Sequence, residues 1–490
     1  MMRLTLTLAA LLAVPAFAHA APMIDMGVPT GVSLEPGTFV LSTARARQQL
    51  LVTGKYSGDE VRDLTTTAQF VSSNPRVAMI NGAIVLPVGN GECQITATVA
   101  GQSATVNCSV KNFEAAAPVS FKNETQMALT KSGCNMGACH GSPSGKGGFR
   151  LSLRAYDNVL DIMTLRSEFY GRRTNIMEPA ESLLLKKPLM DVAHGGGKRL
   201  KKGDTSHLVL EKWIGEGMQL DPATEPDLVK IETLPPRRVL RAPAAQQQLI
   251  VLGHFADGSI RDLTPLADFS SSSESVGSVN AAGLVTKNGR GETAVLARYL
   301  DKMATCPVTF LEDVPGFAWS NPPENNFVDT LVNEKLKTLQ ILPSDLCSDD
   351  EFLRRATLDT LGRLPTIEEA QAFLVDTSAA KRQALVDRLL ETDDFASFWS
   401  LKWCDILRSN SKKLKLAGVH KFRRWIFETI RDDHPLDQFA RELLTASGSV
   451  FENPAANYWR ASRDPQDATE TTAQLFLGVR IQCAKCHNHP

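Results

Sequence analysis

Beyond its first residues the chain has no apolar run near the ~20 residues that a membrane helix needs, so no later membrane span is expected. It has no surplus of either charge. Lys and Arg number 53 against 54 Asp and Glu, and a net charge of −1 excludes a nucleic-acid binder working through bulk positive charge. Nine cysteines in 490 residues are too few for a disulfide scaffold. There is no nucleophile elbow, no H-E-x-x-H and no P-loop. The acidic pairs Asp393-Asp394 and Asp432-Asp433 fall at expected helix boundaries and give a glycosidase no support. What the chain does have is length. At roughly 150 residues per domain it predicts three or four domains, and 43% apolar with 22% charged residues is ordinary globular composition.

The start is an address. Met1-Met2-Arg3 is a short basic opening, Leu4 to Ala18 is mostly apolar, and Ala18-His19-Ala20 fits a small-x-small cleavage site. Residues 1–20 are therefore expected to be a Sec-type signal peptide. The mature chain is then expected in the periplasm or at the cell surface, with no transmembrane segment after cleavage. In such an oxidising compartment thiols are normally bridged, ligated or covalently capped.

A long-period repeat follows. Gln48-Gln49-Leu50-Leu51-Val52-Thr53-Gly54 returns as Gln247-Gln248-Leu249-Ile250-Val251-Leu252-Gly253, and Arg62-Asp63-Leu64-Thr65 returns as Arg261-Asp262-Leu263-Thr264. The offset of 199 residues is too large for a solenoid, so these are two copies of one module. Short alternating apolar stretches between turn residues predict a β-sandwich for each. The order of these landmarks, ending in a late Gly-Glu step (Gly91-Glu92, Gly291-Glu292), resembles the bacterial Ig-like group 2 module over residues 28–111 and 228–311. Cys93 and Cys108 fall on the last two strands of the first copy, as a cross-strand disulfide or as two buried thiols. The second copy has Thr293 at one position and Cys306 near the other.

Residues 118–222, between the copies, hold Cys134-Asn135-Met136-Gly137-Ala138-Cys139-His140. This C-x4-C-H run is a stretched form of the C-x-x-C-H haem attachment motif. That chemistry needs two thiols to form thioethers with the haem vinyl groups and an adjacent imidazole for the iron. Two other readings stay open beside haem for part or all of this set: a plain disulfide between Cys134 and Cys139, or a zinc site of Cys134, Cys139, His140 and His194. With Gly147-Gly148-Phe149-Arg150, Glu178-Pro179-Ala180-Glu181-Ser182, His194-Gly195-Gly196-Gly197 and Trp213-Ile214-Gly215-Glu216-Gly217, the segment resembles the cytochrome c-like domain of large exported planctomycete proteins. The resemblance implies a short helix carrying the motif, with Cys134 and Cys139 holding haem and His140 as the proximal ligand. It also implies a loop bringing a distal ligand, for which His194 is favoured and Met190 is the alternative. Arg154, Arg172, Arg173, Lys198 and Arg199 are candidate partners of the haem propionates.

From Asn326 the period becomes helical. Phe327, Val328, Leu331, Val332, Leu336 and Leu339 form a stripe, and further helices are expected near 349–362, 366–375, 379–391, 395–408, 418–431, 435–446 and 465–478. Trp399, Trp403, Trp425 and Trp459 are expected in the core. The chain ends on Cys483-Ala484-Lys485-Cys486-His487-Asn488-His489-Pro490, which carries the standard C-x-x-C-H spacing. A redox-active disulfide between Cys483 and Cys486 would prefer a thioredoxin-like βαβ setting, and the pattern here is helical. Together with Phe352–Thr366, Leu385–Leu390 and Phe398–Arg408, this ending resembles the DUF1549 domain over 325–490, with a pattern that continues past Pro490. The resemblance implies a truncated domain with a second haem on Cys483, Cys486 and His487, and with His489 or His434 as candidates for its distal ligand.

The expected fold class is therefore multidomain: two β-sandwich modules, a small α-helical cytochrome c-like domain between them, and a C-terminal mostly α-helical domain. The expected function is that of an exported c-type haem protein that transfers electrons to a redox partner protein, with the Ig-like modules as spacers or surface-binding units. The competing expectation is a surface protein that binds or degrades polysaccharide, its Cys/His motifs being disulfides or zinc sites. A haem peroxidase would need an open distal position, which His194 as a ligand would close. No nucleic-acid partner is expected.

Overall fold

The computed structural model describes residues 25–462 and 464–485. The expected signal peptide, residues 1–20, lies outside the described residues. Two compact units divide after Leu342.

The first unit is built on the repeat. In the first copy Gly31–Glu35, Leu51–Lys55 and Val61–Asp63 form one sheet. Thr38–Ser42, Gln102–Lys111, Gly91–Val99 and Gln69–Ser72 form a second, and Gln48–Gln49, Ile84–Pro87 and Ala78–Asn81 a third. The second copy repeats this order with Leu228–Leu234, Ile250–Phe255 and Ile260–Asp262; then Arg238–Arg241, Lys302–Leu311, Gly291–Tyr299 and Asp268–Ser271; then Gln246–Gln248, Leu284–Lys287 and Gly277–Val279. In both four-stranded sheets the first strand pairs parallel with the last, and the rest of the sheet is antiparallel. Alternation buries one face: Cys93, Ile95 and Ala97 point inward along Gly91–Val99. The result is two β-sandwich-like regions.

The repeated tetrad is explained by hydrogen bonding. Asp63 Oδ1 accepts the Thr65 N–H at 2.8 Å, and Asp262 Oδ1 accepts the Thr264 N–H at 2.9 Å. Each Thr hydroxyl then accepts from the preceding strand, from Val52 N–H at 3.0 Å and from Val251 N–H at 2.8 Å. The Leu of the tetrad requires the repeated glycine. A Cβ on Gly54 would lie 2.5 Å from Leu64 Cδ1, and one on Gly253 would lie 2.3 Å from Leu263 Cδ1.

The second oxygen of each aspartate reaches the other module. Asp63 Oδ2 accepts the Gln248 N–H at 2.5 Å, and Asp262 Oδ2 accepts the Gln49 N–H at 2.7 Å. Leu51, Ile250 and Leu252 bury together beside this reciprocal pair. Arg238 also donates to the Thr53 hydroxyl at 3.0 Å.

Residues 118–222 share one core with the second module. Phe121, Met127, Trp213 and Ile214 cluster with Val251, Phe255, Ala297 and Tyr299. Phe121 and Trp213 rings lie 5.2 Å apart. Tyr299 donates its hydroxyl to the Asn123 carbonyl at 2.6 Å. Lys131, on the helix Gln126–Lys131, gives its ammonium to the carbonyls of Pro265, Ala267 and Ala281 at 2.8, 3.0 and 2.6 Å. On the other side Arg45 of the first module donates to the Ala117 and Pro118 carbonyls and pairs with Glu124. The segment consists of short helices, chiefly Asn158–Arg166, Leu183–Leu189 and Thr205–Gly215, joined by turns.

Three local expectations are corrected. The C-x4-C-H run lies in turns after Gln126–Lys131 rather than on a helix, because Gly133 takes a left-handed φ of 74° that stops the helix before Cys134. His207, whose place just before an amphipathic stretch of sequence reads as a surface or capping residue, is buried inside Thr205–Gly215, and Asp204 caps that helix instead. Cys306 is not the counterpart of Cys108. The register pairs Cys93 with Cys108, but it pairs Thr293 with Val308 and Val295 with Cys306. Cys93 and Cys108 are thus buried, unbridged register partners found only in the first module.

The second unit is helical, with helices Asp349–Leu361, Ile367–Val375, Lys381–Leu390, Asp393–Ile406, Ser411–Arg431, Leu436–Thr445, Asn457–Ala461 and Pro465–Phe476. Thr366 and Glu369 form the expected capping box. Trp403 and Trp425 pack on Phe439 with ring centres 5.0 and 5.1 Å away. Trp399 and Trp459 are 38% and 40% exposed, so only half of the expected tryptophan core forms. The helix Phe327–Thr338 belongs to the first unit and has no buried residue, with Phe327 76% and Leu331 61% exposed. Its apolar stripe is therefore largely uncovered within that unit, although Leu336 and Leu339 are half-buried and Lys335 pairs with Glu292.

Burial raises the carboxyls of both Asp63 and Asp262 above the ordinary range, and their N–H and hydroxyl donors pull them part of the way back. Raised carboxyls contribute stability that is fully present below their unfolded value of about 4 and is lost as pH rises through the folded values. Asp262→Ala should cost about 1–3 kcal/mol by leaving the Gln49 and Thr264 N–H groups unpaired. Urea titrations of wild type and variant should show a larger deficit near pH 4 than near pH 8. Lys131→Met should cost a similar amount, about 1–3 kcal/mol, by stranding three carbonyls, with faster amide exchange at Cys134 as its local signature.

Candidate functional site

The loop between Cys134 and Cys139 closes on its own backbone. Cys134 N–H donates to the Leu129 carbonyl at 2.9 Å, and Cys139 N–H to Met136 at 2.9 Å. His140 N–H donates to Cys134 at 3.0 Å, and Gly141 N–H to Met136 at 3.0 Å. Only glycine fits after His140, since a Cβ at Gly141 would lie 2.1 Å from the Asn135 carbonyl oxygen. Asn135 is fully buried; its amide donates to the Thr130 hydroxyl at 2.8 Å and its carbonyl accepts the Arg154 N–H at 3.1 Å. The five-residue step between the cysteines is thereby held as a compact turn.

His140 and His194 are 54 residues apart in sequence and meet in space, with ring centres 6.4 Å apart and ring planes inclined by 18°. Each ring is fixed through Nδ1. His140 Nδ1 lies 2.9 Å from the Phe149 carbonyl, and His194 Nδ1 lies 2.8 Å from the Gly197 carbonyl. A ring nitrogen next to a carbonyl oxygen carries the proton, which leaves Nε2 of each ring with its lone pair.

Two loops hold these rings. On one side Lys146 and Phe149 form a β-bridge, the Phe149 ring lies 4.4 Å from His140, and Leu151 N–H returns to the His140 carbonyl at 2.7 Å. On the other side the Gly197 N–H closes a turn onto the His194 carbonyl at 3.0 Å. A Cβ at Gly196 would lie 2.9 Å from His194 Cε1 and 3.2 Å from Nε2, so this turn tolerates only glycine without moving the ring. Burial holds the His140 imidazole below its ordinary pKa; the Phe149 carbonyl opposes this and the nearby His194 adds to it. Met190 ends the helix Leu183–Leu189 in a left-handed conformation and is 47% exposed.

Cys134 packs against the core, and burial pushes its thiol up to about 12, with Cys139 adding to the effect and Arg199 opposing it. Cys134 and Cys139 are unbridged. Among the described residues no three or more Cys, His, Asp or Glu side chains gather into a metal-sized group, so the four-ligand zinc set is not assembled.

The basic candidates divide by what they already hold. Arg154 lies 3.9 Å from Asp268. Arg173 pairs with Glu168 at 2.9 Å, donates to the Thr164 carbonyl at 2.9 Å and sits 4.5 Å over the Phe149 ring. Arg199 donates Nε–H to the Gly196 carbonyl at 2.8 Å. Arg172 and Lys198 are exposed. The sequence reading missed the carbonyls of Phe149 and Gly197 as the groups that orient the two rings. Their only signal was the glycine flanking each position, Gly147-Gly148 and Gly195-Gly196.

At the second motif, Cys486, His487 and His489 lie outside the described residues. Cys483 falls on the single turn Gln482–Lys485, and His434 is exposed beyond the end of Ser411–Arg431. A cleft of about 770 Å³ lined by Trp459, Ala468, Thr472, Leu477, Val479 and Ile481 adjoins this end of the second unit.

Residues 327–490, the C-terminal third, match the model of a family described as a protein of unknown function, DUF1549. No curated protein matches the chain. Among solved structures it is similar to domains 5-6 of the S-layer protein SbsC, at 12% identity over 59% of this chain and 99% of that one, with a TM-score of 0.25. Domains 1-6 of the same protein match at 10% identity over 59% of this chain and 29% of that one, with a TM-score of 0.16. At such scores the likeness carries no argument about architecture or function.

Proposed function

We propose that the chain is an exported c-type haem protein that transfers electrons. Cys134 and Cys139 would hold the first haem, with His140 and His194 as its two axial ligands; Cys483, Cys486 and His487 would hold a second. One observation carries the reading: the imidazoles of His140 and His194, brought together from two loops with ring centres 6.4 Å apart, each with Nδ1 tied to a backbone carbonyl. The donor set suits haem attachment as well, since thioether formation uses two neighbouring thiols and Cys134 and Cys139 are both unbridged.

Bound haem supplies reversible one-electron chemistry at iron. The chain's residues do the rest. The Phe149 and Gly197 carbonyls orient the rings and raise their basicity as ligands. Two chain imidazoles, His140 and His194, would hold the group, which would favour electron transfer over peroxidase chemistry and lower the potential relative to Met/His ligation. The β-sandwich-like modules act as the frame for this site. Export rests on the signal-like start of the sequence; among the described residues no helix is long and apolar enough to cross a membrane.

The test is expression in a host that matures periplasmic c-type cytochromes, followed by the alkaline pyridine spectrum and intact mass. Two haems add about 1.2 kDa, and Cys134→Ser with Cys139→Ser should remove one of them. Gly196→Ala and His194→Ala should keep the covalent haem but make the first site bind carbon monoxide, which wild type should bind far less. A soluble chain with no haem, alongside working maturation controls, would sink the proposal and return the motifs to disulfide or zinc chemistry on a polysaccharide-binding surface protein.

A further inference from the structure

The loops that hold His140 and His194 also carry a cluster of unpaired positive charge. Residues 118–222 carry fifteen Lys and Arg against eleven Asp and Glu, a net charge of +4 within a chain whose total is −1. The acids there are largely used inside the fold. Glu124 pairs with Arg45, Glu168 with Arg173, Glu181 with Lys186 and Glu216 with Lys212. Asp157 and Asp204 cap helices, Asp161 is buried under Ser152 and Gln126, and Asp221 accepts the Phe121 and Lys122 N–H groups.

The cations are left over at the site. Lys146 and Arg150 bracket Phe149, whose carbonyl holds His140. Lys198, Arg199, Lys201 and Lys202 follow Gly197, whose carbonyl holds His194. All six are exposed, and none forms an ion pair among the described residues. Arg199 alone spends one donor, on the Gly196 carbonyl.

We propose that this basic rim is the docking face for a redox partner protein whose own electron-transfer centre is surrounded by Asp and Glu. The proposal rests on the haem reading of the same site. Charge on the loops that position both imidazoles would orient an acidic partner toward the edge where the electron must cross, and such steering raises encounter rates about 10- to 1,000-fold at low salt. Each encounter moves one electron between the chain's iron and the partner's centre, one oxidised as the other is reduced, with no bond made or broken. Screening should abolish the advantage once the Debye length falls from ~10 Å at 0.1 M to ~3 Å at 1 M.

The experiment uses the haem-loaded full chain, its haem content first fixed by the pyridine spectrum. The reduced protein is mixed in stopped flow with hexacyanoferrate(III), an anion, and separately with hexaammineruthenium(III), a cation, from 10 mM to 1 M NaCl. The anionic oxidant should slow at least ten-fold across this range, and the cationic one should hold steady or speed up. The exposed-residue variant Arg150→Glu/Lys201→Glu/Lys202→Glu should reverse the order at low salt and leave the haem spectrum unchanged. Equal salt dependence for both reagents, or an unchanged order in the variant, would overturn the proposal. So would rates without salt dependence in a chain held on dextran sulfate beads through these three residues, since that would assign the face to an anionic polysaccharide. A chain without haem would instead fail at the pyridine spectrum, which identifies it as a failure of the underlying functional reading.

Discussion

Asp63 and Asp262 each use one carboxylate oxygen to close the turn of their own module and the other to accept a backbone N–H from the opposite module. The bonds run in both directions, so neither module can shift without stranding a buried N–H and a buried carboxyl on each side. A fixed relation between the two modules fixes in turn the ends of the segment between them. That segment leaves the first module after Lys111 and re-enters the second at Leu228, with its helices packed into the second module's core and its start held by Arg45. The C-x4-C-H turn lies immediately after Lys131, the residue whose ammonium is bonded to three carbonyls of the second module. The clasp, the shared core and the lysine therefore form one chain of constraint ending at Cys134.

This arrangement suits a site assembled from distant residues. His140 and His194 come from two loops with little regular structure, and loops without a frame would sample many separations. Here each loop is cross-tied. The bridge between Lys146 and Phe149 and the return of Leu151 to His140 hold one side, and the Gly197 turn holds the other. Glycines stand where ring or backbone comes too close for a Cβ, at Gly141 and Gly196. Preorganisation of this kind lowers the conformational entropy lost when a large rigid group is bound, because the rings are already oriented.

The modules and the helical unit were readable because their signals are local and periodic. Alternating apolar residues marked strands such as Gly91–Val99, and capping residues such as Thr366 marked helix starts within one or two residues. The repeated Arg-Asp-Leu-Thr tetrad was visible, but its cross-module bond was not, because nothing local in the sequence says where the second carboxylate oxygen goes. The same limit hid the burial of His207, whose polar side chain reads as surface while its position on Thr205–Gly215 faces inward. It also hid the exposure of Phe327 and Leu331, since a stripe reports that a helix has an apolar face and not that something covers it within its own unit. At the candidate site the residue types were readable, but the meeting of His140 with His194 and the two orienting carbonyls were not, since nothing local reports a contact 54 residues away and every residue carries a carbonyl.

With haem bound at the first site as proposed, His140 and His194 would be its imidazole ligands, and its potential would be governed by ligand basicity, burial and the local positive field. The carbonyl bonds to Nδ1 make each imidazole a stronger donor and favour ferric iron. The uncompensated cations on the same two loops act in the opposite sense, favouring the state with the extra electron. Because these cations are exposed, salt weakens their influence, whereas the partly buried carbonyl bonds are shielded from it. The reduction potential of the first haem should therefore fall as ionic strength rises, and Arg150→Glu/Lys201→Glu/Lys202→Glu should lower it at low salt while removing most of that salt dependence. A potential controlled by the imidazoles alone would respond to neither change, so redox titration of the two proteins at low and high salt separates the ligand contribution from the field of the rim.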